Sequence, residues 1–198
     1  MQWKKKRQEK TVDVIIPVYK PDEKLKLLLR RLGEQSYPIR RIIVMNTERS
    51  YWREEEYGWV PNLEVHHVTK EEFDHGGTRN QGAGYSEADI MVFMTDDAVP
   101  ADGNLIGALV KGLDQTGKDG EKVVMAYGRQ LPNPDCALAE QYTRSFNYPE
   151  QSRVKTGRDL KELGIKTFFL PLTSAAPMTG RHFWRQADLS GGLFLMRT

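Results

Sequence analysis

Three largely apolar runs, each closing on a polar side chain, constrain this chain more than any other feature. Thr11 to Val18 (T-V-D-V-I-I-P-V) leads into Tyr19, Arg41 to Met45 (R-I-I-V-M) into Asn46, and Ile90 to Met94 (I-M-V-F-M) into Thr95 and the pair Asp96-Asp97. Largely β-branched and apolar runs of this length, here interrupted by Asp13, are what strands buried on both faces look like, and such strands belong to parallel sheets. Between the first two runs Leu25, Leu27, Leu28, Leu29 and Leu32 recur on one helical face, starting after Pro21-Asp22 and stopping near Gly33. Ser36-Tyr37-Pro38 breaks that pattern. A shorter strand is predicted over Leu63 to Val68, followed by a loop from Glu71 to Gly77 and a helix from Thr78 to Ser86. A helix over Gly103 to Leu113 and a fifth strand over Lys122 to Tyr127 complete the alternation, with Gln115 to Gly120 as an exposed connection. The expected fold class is therefore α/β, a mostly parallel sheet with helices on both faces. The chain contains no internal repeat and no low-complexity segment.

The charge balance narrows the partners. Twenty-nine basic against 27 acidic residues leave a net charge of +2, so nothing in the composition implies nucleic acid. The local exception is Lys4-Lys5-Lys6-Arg7 beside Trp3, which reads as a solvated start, with peripheral contact to an anionic membrane as the alternative. No apolar stretch approaches the roughly 20 residues that span a bilayer, and no h-region follows the basic start, so a signal peptide is not expected. Cys136 is the single cysteine, which excludes an intrachain disulfide and a cysteine-cluster metal site and fits a cytoplasmic setting. At 198 residues, 39% of them hydrophobic, the chain can build one ordinary domain or form part of a larger one.

Ligands of open α/β sheets sit at the carboxyl ends of the strands, and here those ends carry Tyr19, Asn46, and Asp96 with Asp97. Adjacent carboxylates suit a hard divalent cation, which in turn neutralises a diphosphate; the plainer alternative is a cap for the helix begun near Asp102. Gly76-Gly77 has a tight turn as its alternative reading, and Arg79 a surface ion pair. His66, His67 and His75 do not make a zinc site, because neighbours on a strand point to opposite faces. Tyr142, Phe146 and Tyr148 read as packing residues rather than a sugar platform. A dinucleotide oxidoreductase is disfavoured, since no G-x-G-x-x-G follows the first strand.

Four segments in order, Ile15-Ile16-Pro17-Val18-Tyr19, Arg41-Ile42-Ile43-Val44-Met45-Asn46-Thr47, His75-Gly76-Gly77-Thr78-Arg79-Asn80 and Thr95-Asp96-Asp97-Ala98, resemble family 2 glycosyltransferases of the GT-A (Rossmann-like) fold, and most closely their rhamnosyltransferase-like branch. The resemblance covers about residues 11 to 169. It implies a nucleotide-sugar-binding domain in which Pro17, Val18 and Tyr19 lie against the nucleobase. It also places Asn46 where the family usually has an aspartate reading the base edge. Arg79 and Asn80 match an Arg-Asn pair at the donor site, Asp96 approaches the ribose, and Asp97 ligates the Mg²⁺ or Mn²⁺ that bridges the diphosphate. The third position of the family's D-x-D pattern is Ala98, so one direct carboxylate ligand is expected. The implied activity is metal-dependent, inverting transfer of a sugar, rhamnose by the branch, from a dTDP- or UDP-linked donor to a polysaccharide or glycolipid acceptor. It would take place in the cytoplasm, at the inner face of the membrane if the basic start touches lipid.

The far end departs from that pattern. No Asn-Glu-Asp-like motif carrying a general base follows Phe169, so the acceptor half is incomplete as read and no catalytic residue is assigned. Codons for Thr173 to Gly180 can be reread in another frame as V-C-S-A-Y-D-R, and those for Gln186 to Thr198 as G-G-F-I-R-R-T-I-F-N-E-D, both suited to the family. Residues 170–198 are therefore expected to be a divergent, out-of-frame tail that leaves a sheet edge unprotected, with natural divergence or an arbitrary end as the alternative. Two rival functions accompany this reading. One is a non-catalytic nucleotide-binding remnant lacking the general base; the other is an unrelated α/β enzyme hydrolysing phosphate at the Asp96-Asp97 edge.

Overall fold

Strand β1 (Val12–Tyr19) lies inside the sheet, and its alternation sorts the rest of the chain into two faces. The computed structural model describes residues 9–117, 120, 122–132, 135–147 and 194–197. In chain order β1 is followed by α1 (Glu23–Gly33), β2 (Arg41–Thr47), two short 3₁₀ turns (Arg49–Tyr51 and Glu54–Glu56) and β3 (Leu63–Val68). Then come α2 (His75–Gly84), β4 (Ile90–Phe93), α3 (Leu105–Leu113), β5 (Met125–Tyr127), α4 (Leu138–Asn147) and β6 (Phe194–Arg197). The sheet order is β3-β2-β1-β4-β6-β5; the first four strands run parallel, and β6 is antiparallel to both β4 and β5.

One face of the sheet carries Val12, Val14, Ile16 and Val18 of β1 with Ile42 and Val44 of β2, and packs against Leu25, Leu28, Leu29 and Leu32 of α1 and Ile106, Leu109 and Leu113 of α3. The other face carries Ile15, Ile43, Met45, Val68 and Phe93, with Ala83 of α2 packed against them. Helices thus cover both faces, as the largely apolar strands require. Each buried aliphatic side chain contributes about 1.5–3 kcal/mol, so the two layers account for most of the driving force that holds the strand ends in register.

Helix α1 begins where the sequence places it, because Asp22 caps it by accepting from the backbone N–H of Lys24 (2.9 Å) and Leu25 (3.3 Å). Helix α2 starts three residues earlier than predicted. His75-Gly76-Gly77 is its first turn rather than a loop, because the Asp74 carboxylate caps it by accepting from Gly77 N at 2.5 Å. Gly82 then lets the helix lie close on the sheet, since a Cβ there would come within 2.7 Å of Ile15 Cγ2 and 3.1 Å of Met45 Cγ. Helix α3 opens at Leu105, after Asp102 has accepted from Asn104 N (2.7 Å), so the Asp96-Asp97 pair does not cap it. Strand β5 is shorter than predicted, Met125–Tyr127, and the expected start at Lys122 forms only an isolated antiparallel bridge with Thr116.

Two further expectations are corrected. Residues 194–197 do not leave the flank of β4 open but occupy it as β6, with Val92 opposite Leu195. Tyr142 and Phe146 do not pack into the core; they stack on each other at 6.4 Å on α4 and are 73% and 74% exposed. Tyr148 and Lys4 to Arg7 lie outside the described residues, as does most of the 170–198 tail. Among the described residues no helix is long and apolar enough to cross a membrane.

Candidate functional site

The carboxyl ends of β1, β2 and β4 and the first half of α2 bring most of the singled-out residues to one edge. Register fixes the first part: Val18 sits opposite Asn46 and Tyr19 opposite Thr47, while the backbone N–H of Met94 bonds the carbonyl of Ile15 at 3.0 Å. The chain leaves β1 through Lys20, whose φ of +54° is unusual for a side-chain-bearing residue and turns the strand sharply toward the α1 cap. That turn leaves Tyr19 exposed, its ring edge-on to Tyr51 at 5.6 Å and the Lys20 Nζ 5.2 Å and 5.3 Å from the two ring centres. Two aromatic faces with a cation between them form a surface that suits a flat, electron-rich ring. Pro17 is half-buried and Val18 is buried in the α1-side core, so of the three only Tyr19 presents a free face.

Past β4, Asp96 and Asp97 form a tight turn closed by Ala98 N to Thr95 O and Val99 N to Asp97 O, both 3.1 Å. Asp97 is exposed and Asp96 half-buried. Burial, and then the neighbouring Asp97, push the Asp96 carboxyl above the usual range, and the backbone N–H of Tyr19 pulls it back only in part. Arg79 reaches into the same region from α2. Burial draws its guanidinium below the usual value while Asp96 opposes that shift, and its Nη1 donates to the carbonyl of His75 at 2.8 Å. Among the described residues Arg79 forms no ion pair at contact distance, and Asp96 is the carboxylate whose charge acts on it. Asn80 follows it on α2, half-buried.

Asn46 is fully buried at the end of β2. Its Nδ2 donates to the carbonyl of Glu48 (3.0 Å) and lies 3.0 Å from His67 Nδ1, while its Oδ1 is buried without a partner among the described residues. Glu48 is the second non-glycine residue with positive φ, +68°, and is held there by Glu48 N to Val68 O (2.8 Å) and Lys70 N to Glu48 Oε1 (2.6 Å). Lys20, Glu48 and Tyr51 carry no sequence signal of such a place, and His67 invites only the zinc reading, because cross-strand partners depend on register.

No group of three or more His, Cys, Asp or Glu side chains that could hold a metal by itself occurs among the described residues. His66 and His67 do face opposite ways: His66 stacks on Tyr85 at 3.6 Å, and His67 turns to Asn46. An open groove of about 240 Å³ lined by Glu54, Tyr57, Gly58, Val60, Leu63 and Val65 is formed by other residues than the carboxylate edge.

The chain is 30% identical over 166 residues to the O-antigen chain rhamnosyltransferase RfbN of Salmonella typhimurium, covering 83% of this chain and 51% of that protein. It is 31% identical over 144 residues to the O-antigen chain rhamnosyltransferase WbaN of Salmonella anatum, covering 72% of this chain and 44% of that one. The chain thus spans about half the length of the curated relatives it matches. In fold it is similar to a mannosyltransferase of Pyrobaculum calidifontis solved with GDP-Man and Mn²⁺, with a TM-score of 0.50 and 20% identity over 63% of this chain and 37% of that one. The model of the family described as glycosyl transferase family 2 matches residues 13–176, most of the length. The chain belongs to glycosyl transferase family 2.

Proposed function

We propose that residues 11–169 form the donor-binding part of an inverting, metal-dependent glycosyltransferase. It would move a sugar, rhamnose by likeness to its relatives, from a dTDP- or UDP-linked donor to a saccharide or glycolipid acceptor in the cytoplasm. The observation that carries this reading is the convergence of exposed Tyr19, half-buried Arg79 and the Asp96-Asp97 turn at the carboxyl edge of a parallel sheet, in a family 2 chain.

In this reading Tyr19 stacks on the base, Asp96 takes the ribose hydroxyls, and the Arg79 guanidinium, with Asn80 beside it, donates hydrogen bonds to phosphate oxygens. The two adjacent carboxylates fit a hard cation. Asp97 is free to turn toward it, and Asp96 already suffers from an uncompensated negative neighbour. Asp97 would hold Mg²⁺ or Mn²⁺, with Asp96 behind it, and the remaining ligands would come from phosphate and water. A cation so placed supplies Lewis-acid stabilisation to the departing diphosphate. Residues 170–198 would then be a distinct tail, and the general base would lie outside the donor-binding part.

Calorimetric titration of UDP and dTDP into the chain, with and without Mn²⁺, tests this. Metal-enhanced binding, weakened about tenfold or more in Asp97→Ala, is the expected result. Binding indifferent to both metal and Asp97 would remove the metal from the reading. Acceptor-independent release of phosphate would favour hydrolysis instead.

A further inference from the structure

The buried amide of Asn46 sits in a network whose parts do not all agree, and the disagreement has one economical resolution. His67 Nδ1 faces Asn46 Nδ2 at 3.0 Å, and His67 Nε2 faces Arg49 Nη1 at 2.7 Å. Asn46 Nδ2 and the Arg49 guanidinium are both donors, yet a neutral imidazole accepts at one nitrogen only. A doubly protonated ring would oppose donors on both sides. It is also disfavoured by burial and by Arg49, which outweigh the opposing Glu54 carboxylate.

Setting a protonated Nδ1 against the unturned amide opposes two buried donors at 3.0 Å, and turning the amide toward a bare Nδ1 sets its oxygen against two acceptors, which leaves two arrangements. In one, Nδ1 carries the proton and the Asn46 amide is turned over. The amide oxygen would then stand 3.0 Å from the Glu48 carbonyl, and the NH₂ group would occupy the buried position that has no partner. That arrangement buries an acceptor against an acceptor and strands two donors. In the other, Asn46 Nδ2 gives one hydrogen to Glu48 O and the other to a bare Nδ1, and the ring proton rests on Nε2. The misfit then falls on Arg49, which is 62% exposed and already paired with Glu54 at 2.8 Å, so it can swing away into water. The second arrangement wins because its conflict lies at the surface.

We propose that His67 is a positioning residue that locks the Asn46 amide with both N–H groups turned inward, leaving Oδ1 as the acceptor that reads an N–H on the nucleobase edge. The lock makes an uncharged asparagine present the same hydrogen-bond sign as a carboxylate. It predicts selection for a base with an imide N–H, as in uracil or thymine, over cytosine, whose ring nitrogen at that position is itself an acceptor. Oδ1 is fully buried in the chain, so the strand ends around it must part slightly to admit the base. This inference deepens the donor-binding reading above and rests on it.

Two measurements test it. The ¹⁵N resonances of the His67 ring report the tautomer directly, without any nucleotide; Nδ1 unprotonated and Nε2 protonated is expected, and the opposite tautomer overturns the inference. Affinities for UDP, dTDP and CDP are then compared in the parent chain, His67→Phe and His67→Asn. The parent should prefer UDP and dTDP over CDP by about tenfold. His67→Phe should reduce that preference severalfold through tighter CDP binding, whereas His67→Asn, which returns an acceptor at the place of Nδ1, should restore it. An undiminished preference in a folded His67→Phe overturns the inference alone, as does equal binding of UDP and CDP by the parent. A parent chain that binds none of the three overturns the donor-binding reading and this one with it.

Discussion

The two ends of the same strands are built in opposite ways. At the amino ends of β1 and β2 the buried carboxylate of Asp13 accepts two hydrogen bonds from Arg40 (3.0 Å and 2.6 Å) and one from Ser86 Oγ (2.7 Å), with Arg41 at 3.6 Å. Arg41 in turn donates to Glu64 and to the carbonyl of Tyr85, both at 2.7 Å, and Tyr85 stacks on His66. This network ties the end of α2 to the sheet and leaves Arg41 Nε as its one buried side-chain atom without a partner among the described residues. At the carboxyl ends, Asp96 and Asp97 adjoin each other, Arg79 feels Asp96 without closing an ion pair, and Asn46 Oδ1 and Thr47 Oγ1 are buried without partners among the described residues. One end spends its polar groups on stability. The other keeps them unsatisfied, as a binding edge must if a ligand is to complete it.

The sharpest way to break that comparison is at the satisfied end. Asp13→Ala removes the acceptor for Arg40 and Ser86 and leaves Arg40, about one third exposed, to find water. Losing one partner of a buried, multiply bonded pair costs about 3 kcal/mol, read as a fall in the urea midpoint. Nucleotide affinity of the folded fraction should stay unchanged. If Asp13→Ala were harmless while Asp97→Ala unfolded the chain, the division of labour between the two ends would be reversed.

The next effect comes from the contact that seats α2, and with it Arg79, on the sheet. Gly82→Ala gains helix propensity of about 1 kcal/mol. It also drives a methyl group to within 2.7 Å of Ile15 Cγ2, and overpacking of this kind costs about 1–3 kcal/mol. A net loss of about 1 kcal/mol is expected, with donor binding weakened as well, because the helix that carries Arg79 must lift. Gly84→Ala, where no atom lies within 4 Å of the added methyl, is the control and should lose neither.

How much of this was legible in the sequence varied with how local the cause was. Strand β3 and helix α1 fell where the residues place them, because a β-branched run and an aspartate cap are local signals. Strand β2 ran two residues further, since Asn46 and Thr47 continue the pairing with β3 despite being polar. The start of α2 was missed because His75-Gly76-Gly77 has poor helix propensity, which the Asp74 cap and the seat of Gly82 on Ile15 and Met45 override. At the edge, Tyr19, Asn46, Asp96 and Asp97 could be named in advance from the strand ends, and Arg79 from the resemblance of its segment to the family. His67 could not, because its partnership with Asn46 exists only through the register that sets β2 beside β3.

The smallest expected effect on stability sharpens the comparison at the unsatisfied end. Burial and Asp97 raise the Asp96 carboxyl above its ordinary value of 3.8, so the folded chain holds that proton more tightly than the unfolded chain does. The sign of the linkage follows: Asp96 contributes stability below the unfolded value, and that contribution is lost as pH rises through the raised folded value. At neutral pH the ionised Asp96 is therefore a mild liability. Asp96→Asn should flatten the stability profile from about pH 4 upward and leave the chain as stable at pH 7, or slightly more so. The same substitution should weaken binding of UDP or dTDP, since it removes the charge that the ribose and the cation would use. Stability retained with affinity lost is the mark of a group kept for a ligand; a loss of both would place Asp96 with Asp13, among the groups that hold the fold.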